Sequence, residues 1–288
     1  MNKIRRIADW WSLLLIPGTI VFHVEIPGAQ WYINSSAYNE FPFMNAEHLE
    51  FKVKWGFIRL GTISFRQEQA DKSNAFHISS EARSAAGLPF VDVDLKNWAV
   101  LLADAPHNLE FRFLDNSKSK SQAFYSYDSV SHTLTLKGIE NARDTVTKEI
   151  RNTEACYDAL GFLMLLRTLS GSGYNIIVPV IMGYDLKPTE IVFHRDVEEI
   201  KIGLWDVPVL AHRFELKGNW SDPHSGGTKG EMTGWVSADS SAVPLLIRVK
   251  ITVGSIDVEL ESCTRTGWTP PLVFGQTAVR TVNEEGEK

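Results

Sequence analysis

Side chains able to do chemistry are scattered along this sequence and form few groupings. Two places set an imidazole beside a carboxylate, His194-Arg195-Asp196 and Asp222-Pro223-His224, and such a pair is what a general base and its orienting acid require. Both fall where strand ends or turns are expected, so their polar groups are expected to face water and serve the backbone. Asp92 and Asp94 would share one face of a strand about 7 Å apart. Glycosidases can use that separation, but many acidic pairs on any strand meet it. The eight histidines (His23, His48, His77, His107, His132, His194, His212 and His224) hold no H-x-x-x-H, H-E-x-x-H or carboxylate facial-triad spacing, so no metal site is expected. The stretch "SGSG" (170–173) lacks the frame of a nucleophile elbow, and "GGTKGE" (226–231) lacks that of a phosphate loop. No catalytic residue, metal ligand or cofactor is assigned, and the chain reads as a protein that is not an enzyme.

Two charged residues matter because of their setting. The segment "YDALGFLMLLRTLSGSG" (157–173) is almost wholly apolar, with Asp158 at its start and Arg167 near its end. It predicts a helix over about 158–169, N-capped by Asp158 and stopped by the glycines. Leu160, Leu163, Met164 and Arg167 would share one side, while Phe162, Leu165, Leu166 and Leu169 cover much of the rest. A helix apolar nearly all round must be buried on more than one side. Asp158 and Arg167 stand about 900° and about 13 Å apart on such a helix and cannot pair, although their end positions suit the helix dipole. A guanidinium carried into apolar surroundings needs a carboxylate, several carbonyls or a wet opening. If it stands at the mouth of a cavity it could fork onto a lipid carboxylate or phosphate. Leu163 and Met164 would then line that ligand site, with Trp55 and Trp235 at its rim.

The elements that must position this helix are strands. "EHLEFKVKW" (47–55) alternates strictly, with Leu49, Phe51, Val53 and Trp55 on one face, the pattern of a half-buried strand. Gly56 separates it from "FIRLGTISFRQ", and the two read as a hairpin, with Gly61 marking a bulge or a close approach. Similar short stretches recur to residue 262, and about ten to thirteen strands argue a curved antiparallel sheet or barrel. The exception is "VDVDLKNWAVLLADAP" (91–106), read as a strand and then a short helix, because Trp98, Leu101 and Leu102 return at helical spacing. The expected fold class is mainly β: a strongly curved antiparallel sheet or incomplete barrel with one central apolar helix. The expected organisation is a signal-like segment (1–37), one β-rich domain (38–265) and a C-terminal tail (266–288).

The 288 residues are 44% hydrophobic and 22% charged, with a net charge of −6, which fits a globular chain and argues against nucleic acid as a partner. Nine tryptophans suit cavity mouths and interfaces as well as strands. Lys3, Arg5 and Arg6 precede the apolar run "WWSLLLIPGTIVFHV" (10–24). That run is shorter than the roughly 20 residues of a spanning helix and is broken by Pro17-Gly18, so it reads as an export signal, with cleavage near Ala29 or Ala37 and retention as an anchor as the two outcomes, the anchor being the weaker reading. The expected location is the periplasm or cell envelope. No cysteine precedes Cys156, so a lipidated-cysteine lipoprotein is not expected. Cys156 and Cys263 could form one disulfide in an oxidising compartment or remain two buried thiols.

Three stretches in order, "AEHLEFKVKWGFIRLGTISF", "YDALGFLMLLRTL" and "GEMTGWVSADSSAVPLLIRVKITVGSIDVELES", resemble the bacterial exported family known as domain of unknown function 3108. Its markers here are Glu47, Trp55, Gly56, Gly61, Asp158, Arg167, Asp239, Pro244 and Gly254. The resemblance implies a β-rich envelope protein with no established catalytic residues, and its plan looks like the lipoprotein-carrier architecture, which holds acyl chains. Two functions follow as expectations. One is a non-enzymatic envelope protein binding a lipid, acyl chain or other apolar ligand between sheet and helix. The other is a structural or interaction module with a solid core, docking to envelope proteins, in which Arg167 is locked to Glu47 or Asp239.

Overall fold

The computed structural model describes residues 45–68, 75–88, 92–102, 108–117, 120–140, 144–151, 153, 156–218 and 228–273. The signal-like segment, the Asp222-Pro223-His224 grouping and the tail beyond residue 273 lie outside the described residues.

Eight strands come first: β1 (Glu47–Trp55), β2 (Ile58–Gln67), β3 (Ala75–Ser84), β4 (Asp94–Leu102), β5 (Asn108–Asp115), β6 (Gln122–Asp128), β7 (Thr133–Glu140) and β8 (Asp144–Ile150). The helix α1 (Ala159–Thr168) follows. Then come β9 (Asn175–Met182), β10 (Asp185–Ile200), β11 (Val209–Gly218), β12 (Thr228–Ser237), β13 (Pro244–Ile251) and β14 (Ser255–Arg265). Among the described residues all fourteen strands join one antiparallel sheet, in the order β8 to β1 and then β14 down to β9. Each neighbouring pair is therefore consecutive in the chain except one. Two meanders, β1–β8 and β9–β14, are fused side by side by the pairing of the first strand with the last, with the helix between them.

The β1 alternation explains the pattern locally. Glu47, Leu49, Phe51 and Val53 are buried while the residues between them are more exposed, so one face of the strand is committed to the interior. The β1–β2 turn, Gly56-Phe57, has Gly56 at φ +58, a conformation glycine adopts without a steric penalty. A Cβ at Gly61 would stand 2.1 Å from the Arg83 carbonyl oxygen, so the close approach expected there is real.

The sheet curls without closing. Its end strands, β8 and β9, share no ladder, and side chains join the two ends instead. The Tyr125 hydroxyl on β6 donates to the Gly183 carbonyl in the β9–β10 turn at 2.9 Å. Lys148 on β8 pairs with Asp185 at the start of β10. The Tyr184 ring covers Gly138 on β7 so closely that a Cβ there would sit 1.7 Å from the phenolic oxygen.

Inside the curl the helix serves both meanders. Leu160 and Met164 join the cluster built on Leu49, Phe51, Phe65, Phe76 and Phe111, with Leu163 half-buried beside it. Phe162, Leu165, Leu166 and Leu169 join a second cluster with Val178, Ile191, Phe193, Phe214 and Val236. An all-round apolar helix is thus accounted for by two walls, one on each side.

The short helix expected after residue 97 is not formed. β4 runs unbroken to Leu102, paired with β3 and β5, burying Leu95, Asn97, Ala99 and Leu101 and leaving Trp98 exposed. Pairing on both edges satisfies the backbone along its length, and that tertiary context overrides the apparent helical spacing.

Candidate functional site

The last turn of α1 points Arg167 at the end of the barrel where β1 begins and β14 finishes. Glu47 and Arg265 face each other there in strand register. Arg167 Nη1 donates to Glu47 Oε1 at 2.8 Å and Nη2 to Glu47 Oε2 at 3.0 Å, a fork onto both carboxylate oxygens. Arg265 Nη1 donates to the same Oε2 at 2.8 Å. The remaining Arg167 donors meet backbone: Nε reaches the Ala242 carbonyl at 3.1 Å and Nη2 the Ser241 carbonyl at 3.0 Å. Arg167 is 1% exposed and Glu47 3%.

Asp239, the other acid expected near Arg167, does different work. Its Oδ1 accepts from Ser237 Oγ (3.0 Å) and from the Ser241 and Ala242 amides (2.9 and 3.1 Å). Its Oδ2 accepts from Trp268 Nε1 at 2.9 Å. It therefore shapes the β12–β13 turn, in which Ala242 has φ +43, so that two carbonyls of that turn face the guanidinium. The helix start is as the sequence implies: Asp158 caps it, with Oδ1 accepting from the Gly161 amide at 2.7 Å.

The rest of the expected ligand site is not assembled. Trp55 lies eight residues along β1 from Glu47, about 27 Å at about 3.4 Å per residue, and its indole donates to the Val253 carbonyl at 3.0 Å. Trp235 alternates with Gly234 and Val236, which face the helix side, so it lies on the outer face. There it donates to Glu198 at 3.0 Å, and the Arg248 guanidinium stands 5.9 Å from its ring centroid. Met164 is fully buried, with its sulfur 3.9 Å from Arg167 Nη1, and Leu163 is half-buried. Arg167 is not at a mouth, because protein acceptors surround it on every side that bears a donor.

Cys156 and Cys263 are both free thiols. Burial pushes each up to about 12, with Asp158 adding to the effect at Cys156 and Glu47 at Cys263, so neither is an activated nucleophile. His194 faces Glu215 at 3.4 Å, and Arg195 Nε donates to the Ser172 carbonyl at 3.0 Å. Among the described residues no three His, Cys, Asp or Glu side chains are grouped to hold a metal ion. A cleft of about 550 Å³ lies over β6–β8 and is lined by Ser126, Tyr127, Asp128, Ser131, Thr133, Thr135, Glu149 and Arg151. It is polar and away from the helix. Hydrogen bonds from the Ser131 hydroxyl and the Val130 and Ser131 amides hold the Asp128 carboxyl below its ordinary range.

A model of the family described as "protein of unknown function (DUF3108)" matches residues 50–261. The chain belongs to the DUF3108 family. No curated protein matches it. Among solved structures, this DUF3108 chain is similar to a beta-barrel-like protein of domain of unknown function DUF1849 from Brucella abortus. The TM-score is 0.55 at 7% identity, over 78% of this chain and 99% of that one. The likeness shows a shared barrel-like fold. A chain from Parabacteroides distasonis described as a "putative lipoprotein" aligns over 78% of this chain and 97% of its own, at 9% identity and a TM-score of 0.32, below the level that marks a common fold. Within the DUF3108 chain, Arg167 falls inside the matched range and Glu47 and Arg265 just outside it.

One polar hub of this DUF3108 chain is not legible in its sequence. Glu259 on the outer face of β14 takes Lys52 at 2.9 Å, Lys54, and the Gly203 amide at 2.7 Å, fastening the β10–β11 connection over the sheet. Burial opposes this charge, but the bonds from Lys54, Gly203 and Lys52 outweigh it and lower the carboxyl from 4.5 to about 2. The folded state therefore favours the anion. Glu259 stabilises above pH 4.5 and loses its contribution as pH falls toward 2. Glu259→Gln is expected to lower the melting temperature at neutral pH, with the gap to wild type closing across that acid window.

Proposed function

We propose that this DUF3108 protein is a non-enzymatic module of the cell envelope, exported by its first 37 residues, with a packed interior and its working surfaces outside. The observation that carries this reading is Arg167. The guanidinium that the helix carries into the barrel is spent on Glu47 and two carbonyls. A ligand carboxylate or phosphate would have to displace a protein carboxylate already held in a fork. Leu160, Met164 and Leu165, at 4%, 0% and 0% exposure, occupy the space between helix and walls that an acyl chain would need. Partners in this reading meet the outer strand faces or edges. No helix among the described residues is long and apolar enough to cross a membrane. Export is tested by fractionation followed by intact mass: the protein is expected in the envelope fraction, lacking Met1 through about Ala29 or Ala37. A full-length product in the cytosol would contradict it.

A further inference from the structure

One end of the barrel carries large apolar side chains where turns ordinarily place polar ones. Phe57, at the apex of the β1–β2 turn, is 97% exposed, and Val253, at the apex of the β13–β14 turn, is 66% exposed. The two turns are neighbours, because β1 pairs with β14 and the Trp55 indole donates to the Val253 carbonyl. The next connection along the same rim, after β3, begins beside them, with the Ala85 amide bonded to the Leu60 carbonyl at 2.8 Å. Its described residues are Ala85, Ala86, Gly87 and Leu88 on leaving β3, and the exposed Asp92 and buried Val93 where it returns to β4. The turns at 56–57 and 252–254 and the first half of the third connection, 85–88, carry no charge; Asp92, at the return to β4, is the anion of that connection among the described residues. Cations begin about two residues back, or about 7 Å along a strand: Lys54 and Arg59, opposite each other in register, with Arg83 and Lys250 on either side. Each has a carboxylate partner.

The geometry points to a lipid-bilayer interface as the occupant of this rim, entered by Phe57 and Val253 as anchors. The apexes are convex and offer no groove or polar pattern for a protein to match, whereas a fluid interface takes apolar tips without shape complementarity. The half-buried Trp55 stands behind them as an amphipathic ring suited to the headgroup level. The Lys and Arg stems one rung back can lie along the boundary with their charges in water. Since each of those cations is already paired, the apolar tips supply the attraction.

The test is co-sedimentation of the full chain with vesicles of phosphatidylethanolamine and phosphatidylglycerol. The wild type is compared with the double variant Phe57→Asp/Val253→Asp and with Val130→Asp. Val130 is 89% exposed in the β6–β7 turn, at the opposite end of the strands, and controls for adding charge to an exposed apolar site. Melting temperatures of all three should agree, because none of these side chains is buried. The expected result is vesicle binding by wild type and Val130→Asp, reduced at least about tenfold in the double variant. Undiminished binding by the double variant would overturn the inference and assign attachment elsewhere in the chain. So would a wild type that ignores vesicles, including one whose tips instead hold two copies together in a dimer that Phe57→Asp/Val253→Asp dissolves.

Discussion

Arg167→Met is expected to destabilise the protein by about 3–5 kcal/mol, the range for removing one partner of a buried ion pair. The variant keeps an unbranched apolar stem and deletes the donors that reach Glu47, Ser241 and Ala242. Glu47 stays buried, with Arg265 as its remaining cation, so the loss should fall toward the lower end. The Ser241 and Ala242 carbonyls lose their guanidinium donor as well. A melting experiment on Arg167→Met, Glu47→Gln and the double variant separates pair from position. The coupling between the two sites should be about 1–3 kcal/mol. Additive losses would show that each residue acts through other neighbours.

Met164→Ala is expected to cost about 2–5 kcal/mol, the usual range for emptying a buried long side chain. Met164 is fully buried, touches the first wall of the barrel and lies under the guanidinium. The space it leaves is bounded by sheet and helix and cannot collapse easily. Leu163→Ala, one residue away but half-buried, should cost clearly less. Denaturant midpoints of the two variants check the order. Equal small losses, below about 0.5 kcal/mol, would mean the helix does not fill the interior.

Much of this architecture can be read from local pattern. The alternation in β1, the Asp158 cap and the all-round apolar helix each follow from a period or a cap that acts over a few residues. The strands that escaped reading have weak or mixed patterns. β8 offers only Val146 and Ile150 to the interior and turns Lys148 inward to Asp185, a protected edge rather than a core strand. In β4 apolar residues occupy both faces, so Trp98 and Leu101 mimic a helical step. The candidate site is partly legible. Glu47 and Asp239 were expected near Arg167, but which acid pairs and which shapes the turn depends on a strand register set by the β1–β14 pairing, between residues more than 200 positions apart. Trp235 was placed at a rim because its type suits one. Its face is decided by the parity of β12 around Gly234, where a Cβ would stand 2.0 Å from the Phe214 ring. Glu259 could not be found from sequence, since the connection it fastens is distant in the chain and carries no motif.

The packed interior is tested most directly by native mass spectrometry of the wild-type protein after gentle extraction without detergent exchange. The account predicts the mass of the bare chain, with no lipid held in fixed ratio and no new apolar species released into organic solvent on denaturation. A stoichiometric acyl-chain lipid, lost on denaturation and absent from Arg167→Met at a temperature where that variant remains folded, would contradict it and make the space between helix and sheet a binding cavity.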